Sequence, residues 1–275
     1  EHQSKGGSSP IIRFILGFFV MIGALMFLGC PIRMILRLGG GDLNALFGIA
    51  GFAGGIGFGT IFLKKGYSLQ RTYALSKLES AMMPAIQVGL LVLVVAAPTF
   101  IFFSQKGPGA MHAPWLISLA AGLVVGGLAQ YSRLCTVGGF RDLFLFKKSI
   151  LIFGYLAVLI GVFVVNISFG NFHLGFENQP IAHTDGLWNF LGMALAGFCS
   201  VLLGGCPLRQ LIMTGEGNSD SAVTVLGLAA GAAFAHNFDL AASGAGPTLN
   251  GEIAVVVGFI VAFIIAVVNT KRANA

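Results

Sequence analysis

Apolar runs of about 18 to 22 residues recur along the whole chain, each long enough to cross a hydrocarbon core of ~30 Å. Eight such stretches stand out, at residues 12–29, 43–63, 83–104, 114–130, 149–169, 187–205, 221–238 and 251–270. A soluble core of this size has no need of so many. Inside lipid every backbone N–H and C=O must be satisfied within the chain, which leaves only helices and closed barrels. The runs lack the period-two alternation of a barrel strand. They predict an all-α membrane protein with about eight transmembrane helices, forming one transmembrane domain over residues 1–275.

The net charge of +6 is carried by Lys and Arg in the short loops, where it sets membrane orientation; nucleic-acid binding is not needed to explain it. If the loop with Lys64, Lys65, Arg71 and Lys77 is cytoplasmic, strict alternation leaves only Arg33, Arg37 and Lys106 outside. Both termini are therefore expected in the cytoplasm, with Trp115 and Trp188 at the outer interface. The string "FLGC" after the first run resembles a lipid-modified cysteine site, but Gly-Cys-Pro recurs deep in the chain, where no signal peptidase acts. The first run is therefore kept as a span.

That recurrence is the second constraint. "MFLGCPIRMILRLGGGDLN" begins at residue 26, and "LLGGCPLRQLIMTGEGN" at residue 202. Laid over each other at an offset of 176, Gly29, Cys30, Pro31 and Arg33 meet Gly205, Cys206, Pro207 and Arg209, and five Gly or Ala matches follow up to Gly55 and Gly231. Nine identities in 27 columns compare with roughly two expected by chance in so Gly- and Ala-rich a sequence. The copies end spans one and six, so they are expected to cross in opposite senses, as in inverted-repeat transporters. The halves are residues 11–104 and 186–270, connected by helices within 113–170. Symmetry also leads one to expect further helices ahead of residue 1. Glycines four residues apart (Gly51, Gly55 and Gly59; Gly122 and Gly126; Gly227 and Gly231) are expected to let helix backbones approach closely.

Proline lacks an N–H but suits the first helical position, so Gly-Cys-Pro reads as one helix ending and a short one starting, with Cys30 and Cys206 at the cap. A helix start offers free amides and a partial positive charge, which favour anions and thiolates. Arg33 and Arg209 add a full charge in the first turn, and Arg37 lies one turn beyond Arg33. A kink with an inert buried thiol is the competing explanation. Duplication with arginine at the same offset favours the functional one. A third cysteine, Cys135, stands in "AQYSRLCTVGGFRDLF" with Arg133 before it and Arg141 and Asp142 after it; the arginines also fit plain interfacial anchoring. Cys199 has no charged neighbour and its repeat counterpart is Gly23, which fits a packing residue. No metal or cofactor is expected, since no CxxC or HxxxH spacing exists. Disulfides are not expected either, because Cys30 is placed near the outer side and Cys135 and Cys206 near the inner one.

The ordered set "GCPIR", "SRLCTVGGFRD" and "GGCPLR" resembles the YeeE/YedE family of bacterial inner-membrane proteins over nearly the whole chain. The resemblance implies an hourglass-shaped helical transporter, not an enzyme, that takes up a small anionic sulfur compound, thiosulfate in one branch. It also implies that Cys30, Cys135 and Cys206 line the path and pass the anion along by thiol hydrogen bonds. The strings "RLGGGDLNALFG" and "GEGNSDSAVTVLGLAAGAAFAHN" look more like a branch associated with selenium transport. On this reading Cys30, Cys135, Cys206, Arg33, Arg209 and Arg133 form the substrate path, with Arg37, Arg141 and Cys199 secondary. The alternative is a membrane relay in which a cysteine persulfide hands sulfur or selenium to a cytoplasmic sulfurtransferase-like carrier.

Overall fold

The computed structural model describes residues 5–69, 72–96 and 113–273. The last part of the expected span 83–104, together with Arg71, Lys106 and His112, lies outside the described residues.

Each Gly-Cys-Pro breaks a helix in the same way. α1 (Pro10–Phe27) ends at Leu28, which turns left-handed at φ 62°; Cys30 is extended, and Pro31 opens α2 (Pro31–Gly39). In the second copy α8 (Gly186–Leu203) ends at left-handed Gly204, Cys206 is extended, and Pro207 opens α9 (Pro207–Gly215). Proline's fixed φ and missing donor suit that first position, where the N–H has no intrahelical partner anyway. A long helix follows in both cases, α3 (Asn44–Lys64) and α10 (Ser219–Asn237). Between them lie α4 (Lys77–Ala96), α5 (Trp115–Ser132), α6 (Thr136–Phe146) and α7 (Ile150–Ser168), and α11 (Leu249–Ala273) closes the chain. Among the described residues strand structure is limited to a short ribbon, Lys5–Gly6 against Tyr73–Ala74, and isolated bridges such as Asp42 with Gly175.

Among the described residues seven helical segments are long and apolar enough to cross a membrane. The eighth expected span, 221–238, is present as α10, but Asp220, His236 and Asn237 at its ends keep it out of that set. Packing explains why it folds regardless. α3 lies along α8, α1 along α10, and α1 along α8, the three most extensive helix pairs. A methyl group at Gly51 would strike the Phe190 carbonyl, and one at Gly55 the Ala194 carbonyl; Gly227 and Gly231 are pressed in the same way on the carbonyls of Phe14 and Phe18. Both partners of each second contact are the first pair's partners displaced by 176 residues. Such approach removes apolar area that any side chain would hold apart, and lets backbone carbonyls and Cα hydrogens touch. Among the described residues nothing lies within 4 Å of a methyl added at Gly122 or Gly126.

The bundle has two distinct ends. α8 runs from Gly186, beside Phe47, to Leu203, near Tyr67, so its 18 residues separate the ends by about 27 Å at 1.5 Å rise per residue. The first end carries Arg33, Arg37 and the loop before α8; the second carries Arg13, Lys64, Lys65 and Arg141.

Candidate functional site

Three short helices begin with a cysteine at the cap position. Cys30, Cys135 and Cys206 are all extended (ψ 170°, 113° and 163°), and each carbonyl accepts the first helical hydrogen bond, from Met34, Gly139 and Gln210 at 2.9–3.0 Å. The cap at Cys135 is complete: its sulfur accepts the Gly138 amide at 3.3 Å. α6 has no proline, so its start is not announced as the other two are. The "TVGG" that follows the cysteine packs against the first turn of α7, with Gly139 close on the Leu151–Ile152 backbone.

These starts converge. Cys206 and Cys135 share one buried cluster with Val137, beside Thr136. The Thr136 hydroxyl is buried and without a hydrogen-bond partner among the described residues. Tyr155, from α7, donates its hydroxyl to the Pro31 carbonyl at 3.2 Å and lies in the electrostatic range of both Cys30 and Cys206. Val137, Phe140, Met34 and Phe52 wall the group with apolar surface. Cys30, at the start of α2, borders this cluster through Tyr155. The reason is the course of α2: it runs back along α7, with Pro31 at Tyr155 and Gly39 at Asn166 eleven residues later. All four cysteines are free. Cys199 packs with Leu16, Leu202 and Tyr67 in the other core cluster, away from the three caps.

The arginines divide by what already binds them. Arg33 folds back over Gly29, where an added methyl would come within 2.8 Å of its Cδ, and its buried Nε has no partner. It opens onto a recess of about 460 Å3 whose polar lining includes Arg37, Asn166, Asn171, His173 and Gln179. Arg37 is buried; its Nε donates to Asp42 at 2.6 Å and its Nη1 to the Phe27 carbonyl at 2.6 Å, with the guanidinium 4.1 Å from the Phe27 ring centre. Only its Nη2 is left without a partner. Arg209 lies in the first turn of α9, and its side chain turns to Gln130, donating to Oε1 at 2.7 Å, while Gln130 in turn bonds Glu216. Arg133 caps α5 in a left-handed conformation and is exposed. Arg141 pairs with Asp142 at 2.8 Å and lines a recess at the opposite end. No His, Cys, Asp and Glu group able to hold a metal occurs among the described residues.

Thr136 and Tyr155 are absent from the sequence-based set. Thr136 had a local signal, being next to a cysteine before two glycines. Tyr155 had none, since it is one aromatic in an apolar helix. His183 also fixes the site's rim: it is buried, its Nε2 donates to the Met26 carbonyl at 2.8 Å, and its own carbonyl accepts from Asn189. Burial pushes its pKa below the ordinary value. The unfolded chain takes up this proton near pH 6.5, but the folded chain only at lower pH. This contribution to stability is full above about pH 6.5 and is lost as the pH falls. Thermal unfolding in detergent at pH 7.5 and 5.0 should show a loss on acidification that is smaller in His183→Gln.

A family model described as sulphur transport matches residues 131–270, just over half of the chain and including Cys135 and Cys206. No curated protein matches the chain.

Proposed function

The chain belongs to the sulphur transport family, and we propose that it takes up a small sulfur- or selenium-bearing anion, of the thiosulfate type, by handing it between the thiols of Cys30, Cys135 and Cys206. The observation that carries this reading is the meeting of cysteine-capped helix starts at one point. Each start contributes free amides and the positive end of a helix dipole, which attract an anion. The thiols offer a polarisable donor to a soft sulfur or selenium atom, which a hydroxyl matches poorly. Thr136 supplies one more unspent donor beside Cys206.

Entry is through the recess of Arg33 and Arg37. The unpaired Nε and Nη2 groups there present positive charge to an incoming anion. The Gly-Cys-Pro halves are inverted repeats, a reading supported by the paired lengths of α1 and α8, of α2 and α9, and by the glycine contacts that recur at the same offset. The balance of basic residues supports a bacterial inner-membrane orientation with the Arg13 and Arg141 end and both termini in the cytoplasm.

Uptake into proteoliposomes tests this directly. Labelled thiosulfate and selenite should enter faster than sulfate, which presents no soft atom, and an imposed ion gradient will reveal any coupling. Equal rates for all three would defeat the thiol relay. If the protein instead gains the mass of one sulfur or selenium atom on a cysteine after exposure, the persulfide relay to a cytoplasmic carrier is the better account.

A further inference from the structure

At the other end of the bundle from Arg33 there is a recess of about 520 Å3 that the cysteine path does not use. Its wall is built from three places far apart in sequence: Ser8 and Arg13 at the start of α1, Tyr67 and Ser68 just after α3, and Arg141 on α6, with the last turn of α8 as its floor. Tyr67 is 7% exposed, yet its hydroxyl has no hydrogen-bond partner among the described residues. A buried phenol without an acceptor loses the hydrogen bond it made to water, so a native fold keeps one where a ligand completes it. Burial also pushes the Tyr67 pKa up, so the group remains a donor at any physiological pH.

Among the described residues the charged groups of the lining are arginines alone. Arg13 donates its Nε to the Ser8 carbonyl at 2.7 Å and its Nη2 to the Ser8 hydroxyl at 3.2 Å, with Asp220 3.6 Å behind it. Arg141 directs its Nε and Nη2 at Asp142. Both aspartates stand outside the lining. Each guanidinium thus has a carboxylate at its back and an Nη1 with no partner among the described residues.

We propose that this recess is a second oxyanion site, in which Tyr67 and Arg141 hold the transported anion on the release side while Arg13 is braced by Ser8 and Asp220. The proposal rests on the transport reading for the identity of its ligand, but the binding itself does not depend on the thiols. An anion leaving the Cys206 region meets donors beside the last turn of α8, at the end richest in positive charge. Retention there keeps the anion from returning while the thiols reload.

The test is equilibrium binding of thiosulfate and of sulfate to detergent-purified protein, followed by calorimetry, in Cys206→Ala, Tyr67→Phe, Arg141→Gln and the doubles with Cys206→Ala. Tyr67→Phe removes an unpartnered hydroxyl and should leave the unfolding temperature unchanged or raised. In the Cys206→Ala background one site should remain, taking both anions alike, and Tyr67→Phe or Arg141→Gln should weaken it roughly tenfold, as expected for one lost hydrogen bond to a charged ligand. Unchanged affinity in both variants would overturn the site. So would binding that appears only with added phosphatidylglycerol, which would make a lipid headgroup the occupant. Failure of uptake with Tyr67-dependent binding intact would count against the transport reading and leave this site standing.

Discussion

Cys206→Ala is expected to reduce uptake to near background while the protein still inserts and folds. Cys206 sits beside Cys135 in one buried cluster, with Thr136 close by, and it is 1% exposed. Removing it takes away the polarisable partner on which an anion arriving from Cys30 must be set down. An interaction with a charged group is worth about 1.5–3 kcal/mol, so the loss corresponds to roughly a 10- to 150-fold fall in rate through that step. Cys206→Ser separates two causes. A hydroxyl keeps the capacity to hydrogen-bond but not the softness, so uptake that recovers in the serine variant points to hydrogen bonding alone. Cys30→Ala and Cys135→Ala should behave alike. Initial rates in proteoliposomes, normalised to reconstituted protein, decide the matter: near-normal uptake in all three alanine variants would end the relay idea.

Arg37→Met should be the most damaging substitution for stability. The Asp42 carboxylate beneath it is buried, accepting Arg37 Nε at 2.6 Å and the Asn44 amide and side chain at 2.9 Å each. Deleting one member of a buried pair leaves the other charge uncompensated, a loss of about 3–5 kcal/mol, whereas removing both is far milder. The double variant Arg37→Met with Asp42→Asn should therefore recover most of the unfolding temperature in detergent. Because Arg37 also faces the entry recess, the double variant should fold well yet take up anion more slowly. If it transports normally, Arg37 is a brace for the α2–α3 turn and Arg33 alone attracts the anion. The repeat gives a reason to expect a bracing share: the counterparts of Arg37 and Asp42 are Met213 and Asn218, and there Asn218 simply caps α10.

Much of the architecture could be written from residue order. A proline after Gly-Cys ends a helix and begins another because of its own covalent geometry, wherever it sits, so α1–α2 and α8–α9 were evident before any packing was known. The same holds for the long spans, since lipid requires a helix of that length. Glycine spacing was a less complete guide. Gly51 and Gly227 lie against facing carbonyls, while Gly122 and Gly126, with the same spacing, face open space. Spacing says that a backbone can be approached, not that a neighbour is there.

Sequence alone therefore determined the all-helical class, the two interrupted helices, and the thiols and arginines that could take part. Those features follow from properties local to each segment: hydropathy, proline geometry, and charge within a turn. Tertiary structure decided which of them meet. It set Cys206 beside Cys135 in one buried cluster that Tyr155 joins to the start of α2, assigned Arg37 to Asp42 and Arg209 to Gln130, and left Arg33, Thr136 and Tyr67 with donors that have no partner among the described residues. Two of those contacts join residues 79 and 124 positions apart. They depend on how whole helices pack, a balance that no stretch of sequence carries by itself.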